Sequence, residues 1–292
     1  MTLKTFKYGF FSFMLVLLLM PIGHALMVLN EIILGDHKFQ GAFYMGLIGI
    51  VLLVIGIKRN NSPSFATITG FLGAILVWTG WIEFSFVWVA EKNNVANLVV
   101  DGEVATKREY LVMLSSIGLL ITVSFFYLFS RSNCTFYIWL QKVLGLRKDI
   151  LAQTGFKKPF AASVFGETIM ILWFFYVVLL VVYDNQIAGD RHIATYIVGW
   201  GSLLWVVYLF SRLIKIRTFD YAVRYAVPTV IIFWNFVEIM GRWGHFEEIW
   251  VQPMKYWLEV SLFFAALFAL LILFVKNPLF HKNQRVDAHN QD

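Results

Sequence analysis

The chain has 292 residues, of which 59% are hydrophobic and 14% charged, with 29 Phe and 11 Trp. A soluble domain carries about 25% charge, so water is not the main solvent of this chain; a lipid bilayer is. The net charge of +6 follows membrane topology rather than a nucleic-acid surface, and no nucleic-acid partner is expected.

Crossing the hydrocarbon layer takes about 20 apolar residues in a helix. Runs of that kind predict helices over 8–30, 40–57, 66–90, 109–130, 162–183, 193–211, 225–241 and 256–275. Backbone polar groups in lipid must be paired within the segment, and helices do this. The expected fold class is all-α: a polytopic membrane helix bundle of about eight transmembrane helices. Lys4 and Lys7 precede the first run as in a signal peptide, but the run passes Pro21 to Leu34 with no A-x-A site, so the first helix is read as retained. Cys134 is the one cysteine, which rules out an internal disulfide.

The segments joining these helices alternate in basic charge. The set that includes both ends of the chain and the connectors around 58–59, 131–158 and 212–224 holds 17 of the 24 Lys and Arg. The positive-inside rule places that set, and both termini, in the cytoplasm of what is read as a bacterial inner (plasma) membrane. The short basic loop from Arg131 to Lys158 is read as a topology and headgroup determinant. On the opposite side, or in the outward halves of helices, lie 13 of the 18 Asp and Glu, with His24, His37, His192 and His245.

The two halves of the chain look alike. Gly35-Asp36-His37 precedes the second span and Gly189-Asp190-Arg191-His192 the sixth; His37 and His192 are 155 positions apart, as are Glu83 and Glu238. Duplication of a four-helix unit follows. Residues 1–130 form the first repeat, 131–160 a basic cytoplasmic loop, 161–276 the second repeat and 277–292 a cytoplasmic tail.

Candidate functional residues gather at the outer face. His24 and Glu31 lie seven apart, two turns along one face of the first helix. Glu83 lies about two turns inside the outer boundary of the third span, with no cation one turn away. Glu238, Arg242 and His245 share one stripe of the seventh, and an i, i+4 ion pair between Glu238 and Arg242 is expected. A carboxylate within the membrane needs a partner, a proton, a metal or water. The imidazoles and carboxylates of His24, Glu31, His37, Glu83, Glu91, Glu238, His245 and Glu247 are ligand types that copper or iron accepts. The adjoining Trp78, Trp81, Trp88, Trp234, Trp243, Trp250 and Trp257 are read as an interfacial belt. The chain contains no P-loop, G-x-G-x-x-G or G-x-S-x-G motif, and no desaturase-type histidine boxes.

The stretch from Trp243-Gly244-His245-Phe246-Glu247-Glu248 through Pro253-Met254-Lys255-Tyr256 resembles a segment of the C subunit of membrane-bound copper methane and ammonia monooxygenases, which has N-E-W-G-H, then E-E-L-F, then P-L-H. Ser85-Phe86-Val87-Trp88-Val89-Ala90-Glu91 is similar to that family's S-F-F-T-E-Q-D. The resemblance implies a copper site, an oxidoreductase role and partner membrane subunits. His245 keeps the family's first histidine. The family's metal-binding Asn falls on Gly241, its later His on Lys255, and at its other site the Asp falls on Glu91 and the His on Val95. The ligand sets are thus not intact; a relocated set of His24, Glu31 and His37 is the alternative. Three functions stay open at this point: a metal-binding oxidoreductase or subunit of such a complex, a secondary transporter using buried carboxylates, and a non-catalytic scaffold or assembly subunit. The partners expected are the lipid bilayer and other membrane subunits or further copies in a homo-oligomer.

Overall fold

A computed structural model describes residues 3–100, 103–130, 135–146 and 159–276. Arg131, Cys134, Arg147, Lys148, Lys157, Lys158 and the 277–292 tail lie outside the described residues, so most of the expected basic loop does too.

Seven helical stretches among the described residues are long and apolar enough to cross a membrane. The first, Phe6–Lys58, runs 53 residues. A 3-10 turn at Gly35–His37 divides it into α1 (Leu3–Leu34) and α2 (Lys38–Lys58). Gly35 takes φ +49° there, a left-handed conformation that suits a residue without Cβ. The Asn30 side chain donates to the Lys38 carbonyl across the turn at 2.8 Å. With α1 and α2 counted apart, the eight expected spans are all helical. The others are α3 (Pro63–Lys92), α4 (Arg108–Phe129), α6 (Phe160–Tyr183), α7 (Ile193–Leu213), α8 (Phe219–Arg242) and α9 (Trp257–Lys276).

Two elements depart from the sequence reading. A short helix, α5 (Thr135–Val143), lies in the segment read as a plain loop. A two-stranded antiparallel hairpin, β1 (Leu98–Val100) with β2 (Glu103–Thr106), joins α3 to α4. Three or four residues are too few for a hydrophobic alternation to register.

The helices form an inner and an outer ring. In the most apolar window of each, 72% of α3, 67% of α8 and 56% of α6 is buried, against 28% of α7 and 11% each of α4 and α9. α2 buries only Ala42, Gly46, Gly49 and Gly56. Large side chains on the outer helices, such as Ile48, Phe126, Leu204 and Phe268, are exposed and face lipid. α1, α3, α6 and α8 therefore make the inner ring, with α2, α4, α7 and α9 outside it. The main packing pairs are α2 with α3, α7 with α8, α3 with α6, and α1 with α8. Small residues allow the closest approaches, as expected where lipid removes the hydrophobic drive between helices. Gly49 and Gly73 meet backbone to backbone, and a Cβ on Gly70 would fall against the Ala161 backbone.

Both ends of the bundle are tied by polar contacts. At the end that carries the hairpin, Glu91 of α3 accepts from Lys38 of α2 and Arg108 of α4. At the other end, Asn60 accepts from the Phe160 backbone at 3.0 Å, and Tyr8 packs on Phe219.

Candidate binding cavity

The inner ring does not close along its whole length. From the hairpin end a cavity of about 730 Å³ runs down between α1, α3, α6 and α8. Its floor is apolar, formed by Leu19, Met20, Ile75, Leu172 and Ile231. Those residues sit near the midpoints of their helices, so the cavity reaches half the depth of the bundle. Its mouth is framed by Thr106 at the end of the hairpin and Lys107 just after it, Asp190 before α7, Arg242, and Glu248 and Gln252 of the loop beyond α8.

Local backbone features place the walls. α3 widens into a π-helix over Trp78–Glu83. The extra residue per turn shifts the following side chains around the helix, and such segments recur at functional sites. Glu83 ends this stretch and is 3% exposed. α1 carries Pro21 three residues before His24, and α8 carries Pro228 below Trp234 and Glu238. Proline removes one backbone bond and bends a helix.

Inside, two carboxylates share the cavity with a tyrosine and a histidine. Trp78 and, from α6, Tyr176 are side-chain donors beside Glu83. The Tyr176 hydroxyl is 3.1 Å from His24 Nε2, which in turn is 3.6 Å from Glu238 Oε1. Trp234 Nε1 donates to the same oxygen at 2.6 Å. Tyr110 of α4 stacks on Tyr176. At the mouth, Arg242 bonds Asp190 and Thr106 and lies over the Tyr183 ring at 4.2 Å. Burial pushes the Glu248 carboxyl above its usual value, with Arg242 pulling the other way.

Of the residues expected to form an outer-face site, His24, Glu83 and Glu238 converge in this cavity. Glu31 stays half-buried on α1, near enough to Glu109 for their charges to interact. His37 is exposed in the turn between α1 and α2, and His245 is exposed beside Trp243. Glu91 is held by Lys38 and Arg108, and exposed Glu247 by Lys255. Glu238 keeps Arg242 within electrostatic reach, while the ion-pair geometry links Arg242 to Asp190 and Glu238 to His24. No group of three or more His, Cys, Asp or Glu among the described residues is placed to hold a metal ion.

The tryptophans divide. Trp81, Trp88 and Trp257 are exposed, as an interfacial belt requires. Trp78, Trp234 and Trp250 are buried and line the cavity instead. The sequence reading also passed over Tyr110, Tyr176, Tyr183, Asn235 and Lys107, all of them in the cavity wall. Tyr176 and Asn235 carried a signal, as polar groups midway along their spans.

Comparison of the chain with protein families, curated proteins and solved structures finds no match in any of the three.

Proposed function

We propose that this integral membrane protein is a secondary carrier that takes a small solute from the outer side and couples its movement to protons on Glu83 and Glu238. One observation carries the reading: the cavity of about 730 Å³ between the inner helices, with Glu83, Tyr176, His24 and Glu238 gathered in its wall. Its size lies in the range of small-molecule sites. Ionisable residues inside a membrane are costly and mark solute paths and proton relays. Positive-inside counting puts the hairpin end outside, which makes this the outward-open state.

A site at half depth between two related helix sets is the arrangement alternating access uses. Packing supports two four-helix units. Exchanging α1–α4 with α6–α9 turns the α3–α6 contact into α8–α1 and the α2–α3 pair into α7–α8. Below the floor, Ser12, Thr67 and Thr168 carry buried hydroxyls with no hydrogen-bond partner among the described residues. They supply polar lining for a path that opens when the lower helix contacts part.

Proteoliposomes loaded with a pH-sensitive dye test this reading. Tetramethylammonium, acetate and glycerol, added outside in turn, represent three solute classes. At least one should change the luminal pH beyond the response of empty liposomes, and Glu83→Gln and Glu238→Gln should abolish that change. A wild-type response matching empty liposomes for all three, or one that survives both substitutions, overturns the carrier.

A metal-centred reading draws on the shared location of His24, Glu83 and Glu238. Stoichiometric copper or iron in protein kept in lipid nanodiscs, lost in His24→Ala, would move the conclusion to it.

A further inference from the structure

We infer that the ligand of this cavity is an organic ammonium ion that also bears a hydrogen-bond acceptor. The inference rests on the cavity being a binding site, as the carrier reading holds. Three independent features converge on this class.

The first is charge. Glu83, Asp190, Glu238 and Glu248 line the cavity against two basic side chains, Lys107 and Arg242. Both bases are at the mouth, and Arg242 is engaged by Asp190 and spread over Tyr183. Deeper in, the donors beside the two acids are the neutral side chains of Trp78 and Tyr176 at Glu83 and of Trp234 at Glu238, with His24 alongside. Neutral donors leave each carboxylate, once it releases the proton that the carrier reading assigns to it, without a counter-charge deep in the cavity, and an organic cation supplies one.

The second is the aromatic wall. Trp78, Trp234, Trp250, Tyr110 and Tyr176 surround these acids. The Trp234 and Trp250 rings are 4.9 Å apart. Aromatic faces attract alkylated ammonium groups, which carry their charge without a tight water shell. The volume also exceeds what a bare metal ion occupies, and it suits an organic molecule.

The third is a set of unused donors. Asn235 Nδ2 and Trp250 Nε1 are buried in the wall with no partner among the described residues, and so is the Tyr183 hydroxyl. Asn235 is 2% exposed and Trp250 6%. Buried donors in folded proteins are ordinarily paired. An acceptor on the ligand pairs them.

Tryptophan fluorescence of the full chain in lipid nanodiscs tests the inference. The probes are tetramethylammonium, choline, and choline's uncharged carbon isostere, 3,3-dimethylbutan-1-ol, with acetate as the anion. Choline should give saturable quenching, with the isostere and acetate at least tenfold weaker. Glu83→Gln and Glu238→Gln should each weaken choline at least tenfold. Asn235→Ala, which leaves both acids in place, should weaken choline severalfold and leave tetramethylammonium unchanged. Equal binding of the isostere, preference for acetate, or no saturable quenching by either ammonium overturns the inference. Choline binding without flux would remove the carrier and leave the ligand class standing; flux of acetate or glycerol would do the reverse.

Discussion

The two halves of the inner helix ring are built in opposite ways. Toward the hairpin end, α1, α3, α6 and α8 are held apart by Trp, Tyr and Glu side chains around a cavity. Toward the other end the same helices touch through small residues, such as Gly70 against Ala161. Large apolar side chains, including Phe13, Val16, Phe71 and Val164, fill the remaining space. The same four helices thus make a packed half below and a polar chamber above. In the proposed carrier the packed half is the closed side, whose contacts part when the solute leaves.

The largest effect expected from breaking this contrast is in the packed half. Gly70→Val puts new atoms into the Ala161 backbone and should cost about 3 kcal/mol or prevent assembly. Thermal unfolding in detergent would show it. Gly118→Ala, at a site on α4 with no atom within 4 Å of a new Cβ, should be silent; equal damage from both would dissolve the distinction between packed and open regions.

Tyr176→Phe acts in the polar half. It removes the hydroxyl between Glu83 and His24 and leaves buried groups short of a partner, at a cost of about 1–3 kcal/mol. Unfolding curves should shift by that amount while helix content by circular dichroism stays the same. An unshifted curve would mean that Glu83 and His24 are already served by water. At the mouth, Asp190→Asn weakens a partly exposed pair with Arg242 and should cost no more than about 1 kcal/mol.

Glu248 gives the smallest effect, a slope with pH. Its carboxyl is raised from 4.5 by burial, so the fold favours the protonated form. The stability it contributes is complete below the ordinary carboxylate range and is lost as the pH climbs through the raised value. Glu248→Gln should flatten that part of a melting-temperature profile, and an unchanged profile would remove Glu248 from the mouth's electrostatics.

The spans were legible because hydropathy is local, and His24, Glu83 and Glu238 stood out as polar residues in apolar helices. Which helices meet was not legible. α1 joins α8 and α3 joins α6 through packing between distant segments, and no local pattern encodes that choice. Hence His37, Glu91, His245 and Glu247 shared a membrane face with the cavity residues in sequence and lie apart from them in space. Trp78 and Trp234 looked like belt residues because depth along a helix was visible and the direction faced was not. The π-helical stretch that carries Glu83 left only Gly80 between Trp78 and Trp81 as a hint.

The most direct measurement is thiol labelling in a Cys134→Ser background, with a membrane-impermeant maleimide added on the hairpin side of sealed proteoliposomes. Val28→Cys, in the half-buried part of the cavity wall, should react, and excess choline should slow it; Thr67→Cys, in the packed half, should stay unmodified over the same time. An unreactive Val28→Cys, or a Thr67→Cys that reacts as fast, would contradict a chamber open at one end and closed at the other.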